Sequence, residues 1–391
     1  AAFGGYSISS VPFFPIIILS DFLCRTLNFD YSVIERLLIF GPLVFFFIFS
    51  PWYFAHTLGF GRIAKAAMIL VFNLNTIMFM NSTVPLLDLS DAMAPLVFAL
   101  FIRAIQFPYT KSGLLFGLLL ALQMVVEMRG CYIILFFCGL YFLYYIVIDV
   151  ELRKSLWRIS KTLLLSAIVV ILLHSYWILP LLFGRVTSSA PLLLPGGYRI
   201  AGALHSLSYM TLLHSLGLSH PFWGRLDILN QVNPHFLVLP LIAFSVLLFG
   251  KQKRLIIFFA ISALIFAFLV KGSKPPFGAI NIWAFLHVPG FFMFRAPGKW
   301  YMPLIISYGV LVGCLVEQLI TREFVNNIFI RLNKRFSLRP FFIKTMVILC
   351  MVAVIFIVFP VQPISTLRYS SIFEPQRVPA ESSRLENFLE S

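Results

Sequence analysis

Asp88 and Asp91 stand three residues apart in the string DLSD, between apolar runs and without a basic neighbour. At a helix start that spacing puts both carboxylates on one face. Such a pair can act as a general base, or hold a hard divalent cation such as Mg or Mn, which prefers oxygen ligands. Plain helix capping and complementarity to the macrodipole would use the same residues. Arg295 and Lys299 lie four apart, with Lys271 and Lys274 upstream. A guanidinium offers a bidentate fork to phosphate and an ammonium adds charge; snorkelling at a helix end is the ordinary alternative. Glu127 and Arg129 flank a tight turn, placed either to contact a substrate or merely to pair with each other. His220 and Trp223, in LSHPFW, could line a sugar pocket with the indole against a pyranose face, though most loop histidines are bystanders. His205, His214, His220 and His235 lack ligand-like spacing, so zinc is not indicated.

The elements that must position these residues are apolar. Of 391 residues, 60% are hydrophobic and 12% charged, about half the charge of a soluble domain. Runs near 20 residues recur, each long enough for a hydrocarbon core of about 30 Å. Backbone groups in lipid must be satisfied internally, so these runs read as helices; short alternating segments of a transmembrane barrel are absent. The expected fold is an all-α polytopic membrane protein with about ten spans, at 34–55, 63–80, 92–107, 112–127, 131–149, 161–183, 235–250, 254–271, 300–320 and 342–361. The five cysteines, Cys24, Cys131, Cys138, Cys314 and Cys350, fall in or beside apolar runs and read as buried, inert thiols.

The formal charge of +15 sits mainly in short loops after alternate spans. That is the pattern of cytoplasmic membrane loops rather than of nucleic-acid binding. The other loops then face outward, and both ends of the chain lie on the outer face. This topology predicts an upstream helix, a transmembrane domain over 1–361, and the start of an outer-face domain at 362–391. The long outer loops 184–234 and 272–299 are apolar and aromatic, and are expected to carry interfacial helices. Asn81-Ser82-Thr83 forms an N-glycosylation sequon in an outward loop.

The string GSKPPFG followed by HVPGFFMFRAPGKWY, from Gly272 to Tyr301, carries Pro289, Gly290, Phe291, Phe294, Arg295, Pro297 and Lys299. It resembles a signature of prokaryotic GT-C-type membrane glycosyltransferases, a group that includes the membrane part of mycobacterial arabinofuranosyltransferase D. LSHPFW, Asn233-Pro234 and the terminal VPAESSRLENFL are similar to stretches of the same group. The resemblance implies a GT-C-like fold and a polyprenyl-phosphate sugar donor at the outer membrane face. It also implies a surface glycan or glycolipid acceptor, with acidic residues of the second outer loop (here Asp88 and Asp91) at the site. In that group the catalytic acid lies in the first outer loop, behind a first helix that this chain does not show; Asp21 is the only visible substitute. A transporter or flippase of lipid-linked glycans, or a non-catalytic membrane scaffold, remains the alternative reading. No Walker loop, dinucleotide fingerprint, nucleophile elbow or CxxC motif is present, so soluble nucleotide-sugar chemistry is not supported.

Overall fold

The computed structural model describes residues 12–81, 84–183, 205–219, 234–249 and 252–321. Every regular element among them is helical. In chain order these are α1 (Phe14–Leu27), α2 (Tyr31–Thr57), α3 (Arg62–Asn73), α4 (Thr76–Asn81), α5 (Pro85–Gln106), α6 (Thr110–Val126), α7 (Met128–Ile148) and the short α8 (Val150–Lys154). They continue with α9 (Leu156–Leu173), α10 (Ser175–Phe183), the short α11 (Leu212–Leu216), α12 (Val238–Phe249), α13 (Lys253–Val270), α14 (Gly278–His287) and α15 (Tyr301–Thr321). Two 3-10 turns, Phe291–Phe294 and Pro297–Trp300, lead into α15.

Six segments are long and apolar enough to cross a membrane: Tyr31–Thr57, Pro85–Gln106, Met128–Ile148, Leu156–Leu173, Lys253–Val270 and Pro297–Leu319. The chain is therefore an all-α protein built for a bilayer, with fewer full-length spans among the described residues than the ten expected. The differences have local causes. The run 63–80 is interrupted at Asn75, whose Nδ2 donates to the carbonyls of Val71 and Phe72 while its Oδ1 accepts from the N–H groups of Ile77 and Met78. One side chain thus supplies the bonds that a continuous helix would have made. The run 161–183 divides at His174, whose Nδ1 accepts from Trp177 Nε1 at 2.9 Å and whose Nε2 lies 3.1 Å from the Ala121 carbonyl. Helix α6 reaches only 17 residues and α12 only 12. The expected span 342–361, the segment 362–391 and Cys350 lie outside the described residues.

Helices α5 and α15 form the centre. In the segment containing α15, 89% of the apolar window is buried by the rest of the protein, against 11% for α2 at the rim. Helix α5 packs on α2, α6 and α7, while α15 packs on α3, α12 and α13. Aromatic rings fill the space between: Phe98 stacks on Phe137 at 4.2 Å and meets Phe54 edge-on at 5.4 Å. Between α6 and α9 the contact is instead made by small residues, as is common where helices approach closely in lipid. Ser166 Oγ donates to the Gly113 carbonyl at 2.8 Å, and a Cβ on Gly117 would lie 2.8 Å from the Ser166 carbonyl oxygen. Cys131, Cys138 and Cys314 are buried free thiols and Cys24 is half-buried.

Helix α5 has 22 residues and so spans about 33 Å, giving the bundle two distinct ends. At one, Arg103 donates to the Tyr53 hydroxyl, Lys65 Nζ lies 3.2 Å from His56 Nδ1, and Gly61 N–H donates to Glu317 Oε2 at 2.8 Å. This end gathers the final turns of α2, α5 and α15 with the first turn of α3, and it carries basic residues. The first turns of α5, α7 and α15 lie at the other. Replacing Gly117 with Val should lower stability by about 1–3 kcal/mol, because the added carbons meet backbone that cannot yield. Gly139 has open space around it, so Gly139→Ala should be neutral or gain up to about 1 kcal/mol. Thermal unfolding of both variants in one detergent would check the contrast, and equal effects would contradict the packing described.

Candidate functional site

Helix α5 begins at Pro85, seven residues before the expected span, because proline at the first helical position costs no backbone donor. Asp88 and Asp91 are consequently inside the helix, not in a loop ahead of it. Both are buried, at 1% and 6% exposure, which leaves no bulk water to solvate their carboxylates. Asp91 Oδ2 accepts from Asn81 Nδ2 at 2.9 Å. Asp88 Oδ1 is buried with no hydrogen-bond partner. The cap position is held by Val84, which supplies no side-chain bond, so capping does not account for the two acids, whereas Asp88 in the first turn does complement the macrodipole. The Asn81 amide that a glycan would modify is the group that bonds Asp91, while Ser82 and Thr83 lie outside the described residues.

The second component is the junction of α6 and α7. Glu127 is extended, with φ −157° and ψ 105°, and separates the two helices. Its carboxylate accepts the Arg129 N–H at 3.2 Å, Arg129 Nε at 2.6 Å and Arg129 Nη2 at 2.5 Å. The two residues do pair with each other, bidentately and largely out of water. A contact one residue further on fixes where this pair sits. Gln123 Nε2 donates to the Ser90 carbonyl at 3.0 Å, and a Cβ on Gly130 would collide with the Ser90 hydroxyl. Glycine at 130 therefore lets the first turn of α7 rest on α5 at Ser90.

The third component is the segment from Pro289 to Lys299. Gly290 takes φ +79°, a left-handed conformation that glycine adopts without cost. Trp300 and Phe294 are buried with ring centroids 4.6 Å apart, and the Trp300 ring also meets Phe291, Phe136, Phe266 and Tyr132. Tyr132 on α7 adds a hydrogen bond from its hydroxyl to the Pro289 carbonyl at 3.2 Å. With Trp300 as anchor, Lys299 comes within electrostatic reach of Arg129, Glu127, Arg295 and Asp91. Asp91 in turn is within reach of Asp88, Glu127 and Lys299. Arg295 is exposed. Among the described residues, no ion pair within 4 Å is made by Arg295 or Lys299.

Six of the expected site residues, Asp88, Asp91, Glu127, Arg129, Arg295 and Lys299, thus converge at one end of the bundle. Asp21 does not join them: it pairs with Arg25 at 2.7 Å on the exposed surface of α1. Lys271 is buried and donates to the carbonyls of Gly272 and Lys274 at 3.2 and 2.6 Å, a clasp on its own loop. His220 and Trp223 lie outside the described residues. Asn81, Gln123 and Tyr132 were missed as members of the site. Asn81 was hidden by its sequon, and nothing in the local pattern marks the other two. Among the described residues no group of three His, Cys, Asp or Glu side chains could hold a metal ion.

Neither a protein-family model, nor a curated protein, nor a solved structure matches this chain. The chemistry must be argued from the cluster itself. Breaking its central pair has a defined expectation. Glu127→Ala leaves the Arg129 guanidinium partly buried and unpaired, and should cost about 3 kcal/mol. The double variant Glu127→Ala/Arg129→Ala should cost clearly less than the sum of the two single changes. Additive losses in thermal unfolding would mean that the pair does not act as a unit.

Proposed function

We propose that this chain is the membrane module of a glycosyltransferase of GT-C type. It takes a sugar from a polyprenyl-phosphate donor and delivers it to a surface glycan or glycolipid at the outer face of the cell membrane. The reading is supported above all by one observation: Asp91 of α5 and Lys299 of the segment before α15, drawn from opposite halves of the chain, come within electrostatic reach of each other at one end of the bundle. The basic residues at the other end fit a cytoplasmic location there, and on this reading the acid and cation cluster faces outward.

Glycosyl transfer of this kind needs two things. An acceptor hydroxyl must lose its proton as its oxygen attacks the anomeric carbon, and the C–O bond to phosphate must break with the electron pair leaving on phosphate. Asp88 suits the first role, because its Oδ1 has no hydrogen to accept from the protein. Asp91, bonded to Asn81, then serves as its neighbour and orienting charge. Lys299 and Arg295 suit the second role, since charge developing on the departing phosphate is best met by fixed donors. The Glu127–Arg129 pair keeps the Arg129 charge next to Lys299 and restrains it. Alternatively, Asp88 and Asp91 would together hold a divalent cation, Mg or Mn; the orphaned Asp88 oxygen would then be its ligand and not the base. When bound, it would supply charge neutralisation for the phosphate.

The test is sugar transfer by the purified chain in lipid nanodiscs, offered a panel of polyprenyl-phosphate sugars. Asp88→Asn should lower the rate by about 10²–10⁴-fold, and Arg295→Ala or Lys299→Ala by about 10²–10³-fold. Asn81→Asp would place a third carboxylate beside Asp91 and should also slow the reaction. Transfer that survives all of these changes would overturn the assignment. Translocation of an intact lipid-linked glycan without its cleavage would replace it with the flippase reading.

A further inference from the structure

Helix α14 (Gly278–His287) is amphipathic in a sense opposite to that of a helix on a water-soluble protein. Its protein-facing stripe is Gly278, Asn281 and Phe285. Asn281 Nδ2 donates to the carbonyls of Phe268 and Gly272 at 3.2 and 2.8 Å, which fastens the helix to the end of α13. The outward stripe at spacings of three and four is Ala279, Ile280, Trp283, Leu286 and His287. Phe277, just before it, is 74% exposed and Trp283 is 58% exposed. No Asp, Glu, Lys or Arg occurs from 278 to 287. A helix face turned to water would be polar; this one turns its polar amide inward and its indole outward.

The flanking elements fix the depth. Helix α13 ends at Val270, and the next membrane-length segment starts at Pro297. The chain therefore leaves and re-enters the apolar layer on either side of α14, which keeps α14 near the surface of that layer. Lys274, exposed just ahead of the helix, adds a cation at headgroup level. Trp283 stacks on His287 with centroids 5.3 Å apart, an amphipathic ring pair of the type favoured at the membrane–water boundary.

We propose that α14 is a membrane-docking helix whose partner is the lipid surface itself, with Ile280, Trp283 and Leu286 inserted among the outer acyl chains. This rests on the outer-face reading of the site but not on its chemistry. It also gives α14 a task. The helix packs on the Phe291–Phe294 turn, which is followed directly by Arg295, so its depth in the lipid sets the height of the Arg295 guanidinium relative to lipid phosphates.

The experiment uses the full chain in nanodiscs made with ordinary or acyl-brominated phosphatidylcholine. The emission of Trp283 is obtained as the difference between the parent and Trp283→Phe. For a ring seated ~5–10 Å into the headgroup–acyl boundary, this difference should fall about twofold in brominated lipid and respond little to aqueous iodide. Quenching by iodide and not by brominated lipid would overturn the proposal, because the face would then meet water. Insensitivity to both would also overturn it, because another part of the chain would then cover the helix. Trp52 and Trp157, exposed on α2 and α9, report separately on whether the bundle is embedded in lipid. Should Trp283→Phe unfold, a nitroxide on Ala279→Cys gives the same reading, with oxygen collisions exceeding those of a water-soluble nickel chelate if α14 is docked.

Discussion

The close crossing of α5 and α7 at Ser90 and Gly130 is the constraint on which the site depends. The helices approach so closely there that a Cβ at position 130 would strike the Ser90 hydroxyl and force it to turn away. The Gln123 bond to the Ser90 carbonyl ties the end of α6 to the same turn of α5. Two consequences follow from this one contact. The Glu127–Arg129 pair is delivered beside Asp91, and the Tyr132 ring, one turn on, is presented to the segment that carries Arg295 and Lys299. A charged cluster is thus positioned by a neutral contact that bears no charge of its own.

Buried polar side chains do two different jobs in this bundle. Asn75 and His174 end helices and supply the hydrogen bonds that the breaks remove. Asn281 and Lys271 tie the loop after α13 to its own carbonyls. All four are internally satisfied, as an apolar surrounding requires. Asp88 differs, because one of its carboxylate oxygens is left without a partner. An unsatisfied acceptor in such surroundings is destabilising; Ser50 Oγ, Asn73 Oδ1 and Gln123 Oε1 share that condition, and Asp88 stands out among them only as the one acid.

The broad architecture could be read from composition and from runs of apolar residues, because hydrocarbon thickness fixes helix length. The interruptions could not. Asn75 and His174 look like tolerable polar residues in otherwise apolar runs, and only their side-chain bonds to the backbone turn them into breaks. Charged candidates stood out because ionisable groups are scarce in so apolar a chain, and six of the singled-out residues do come together. Asp21 was an equally visible carboxylate, yet its nearest cation, Arg25, is one turn along the same helix. Asn81, Gln123 and Tyr132 are ordinary residue types whose importance comes from tertiary contacts across the bundle. Spacing along the chain carries no trace of those.

The placement of two carboxylates in the opening turns of a central helix also bears on how the protein is made. From Ala92 to Gln106 α5 has 15 residues, about 22 Å of helix, too short alone for a hydrocarbon layer of about 30 Å. The stretch with Asp88 and Asp91 must therefore be drawn toward the layer, where a lone carboxylate is costly to insert. On the ribosome α5 emerges well before α7, and long before the segment that brings Lys299. The charges that face Asp91 in the folded bundle, Glu127 and Lys299, are thus synthesised after the helix that buries it, and the partner made before it is the neutral amide of Asn81.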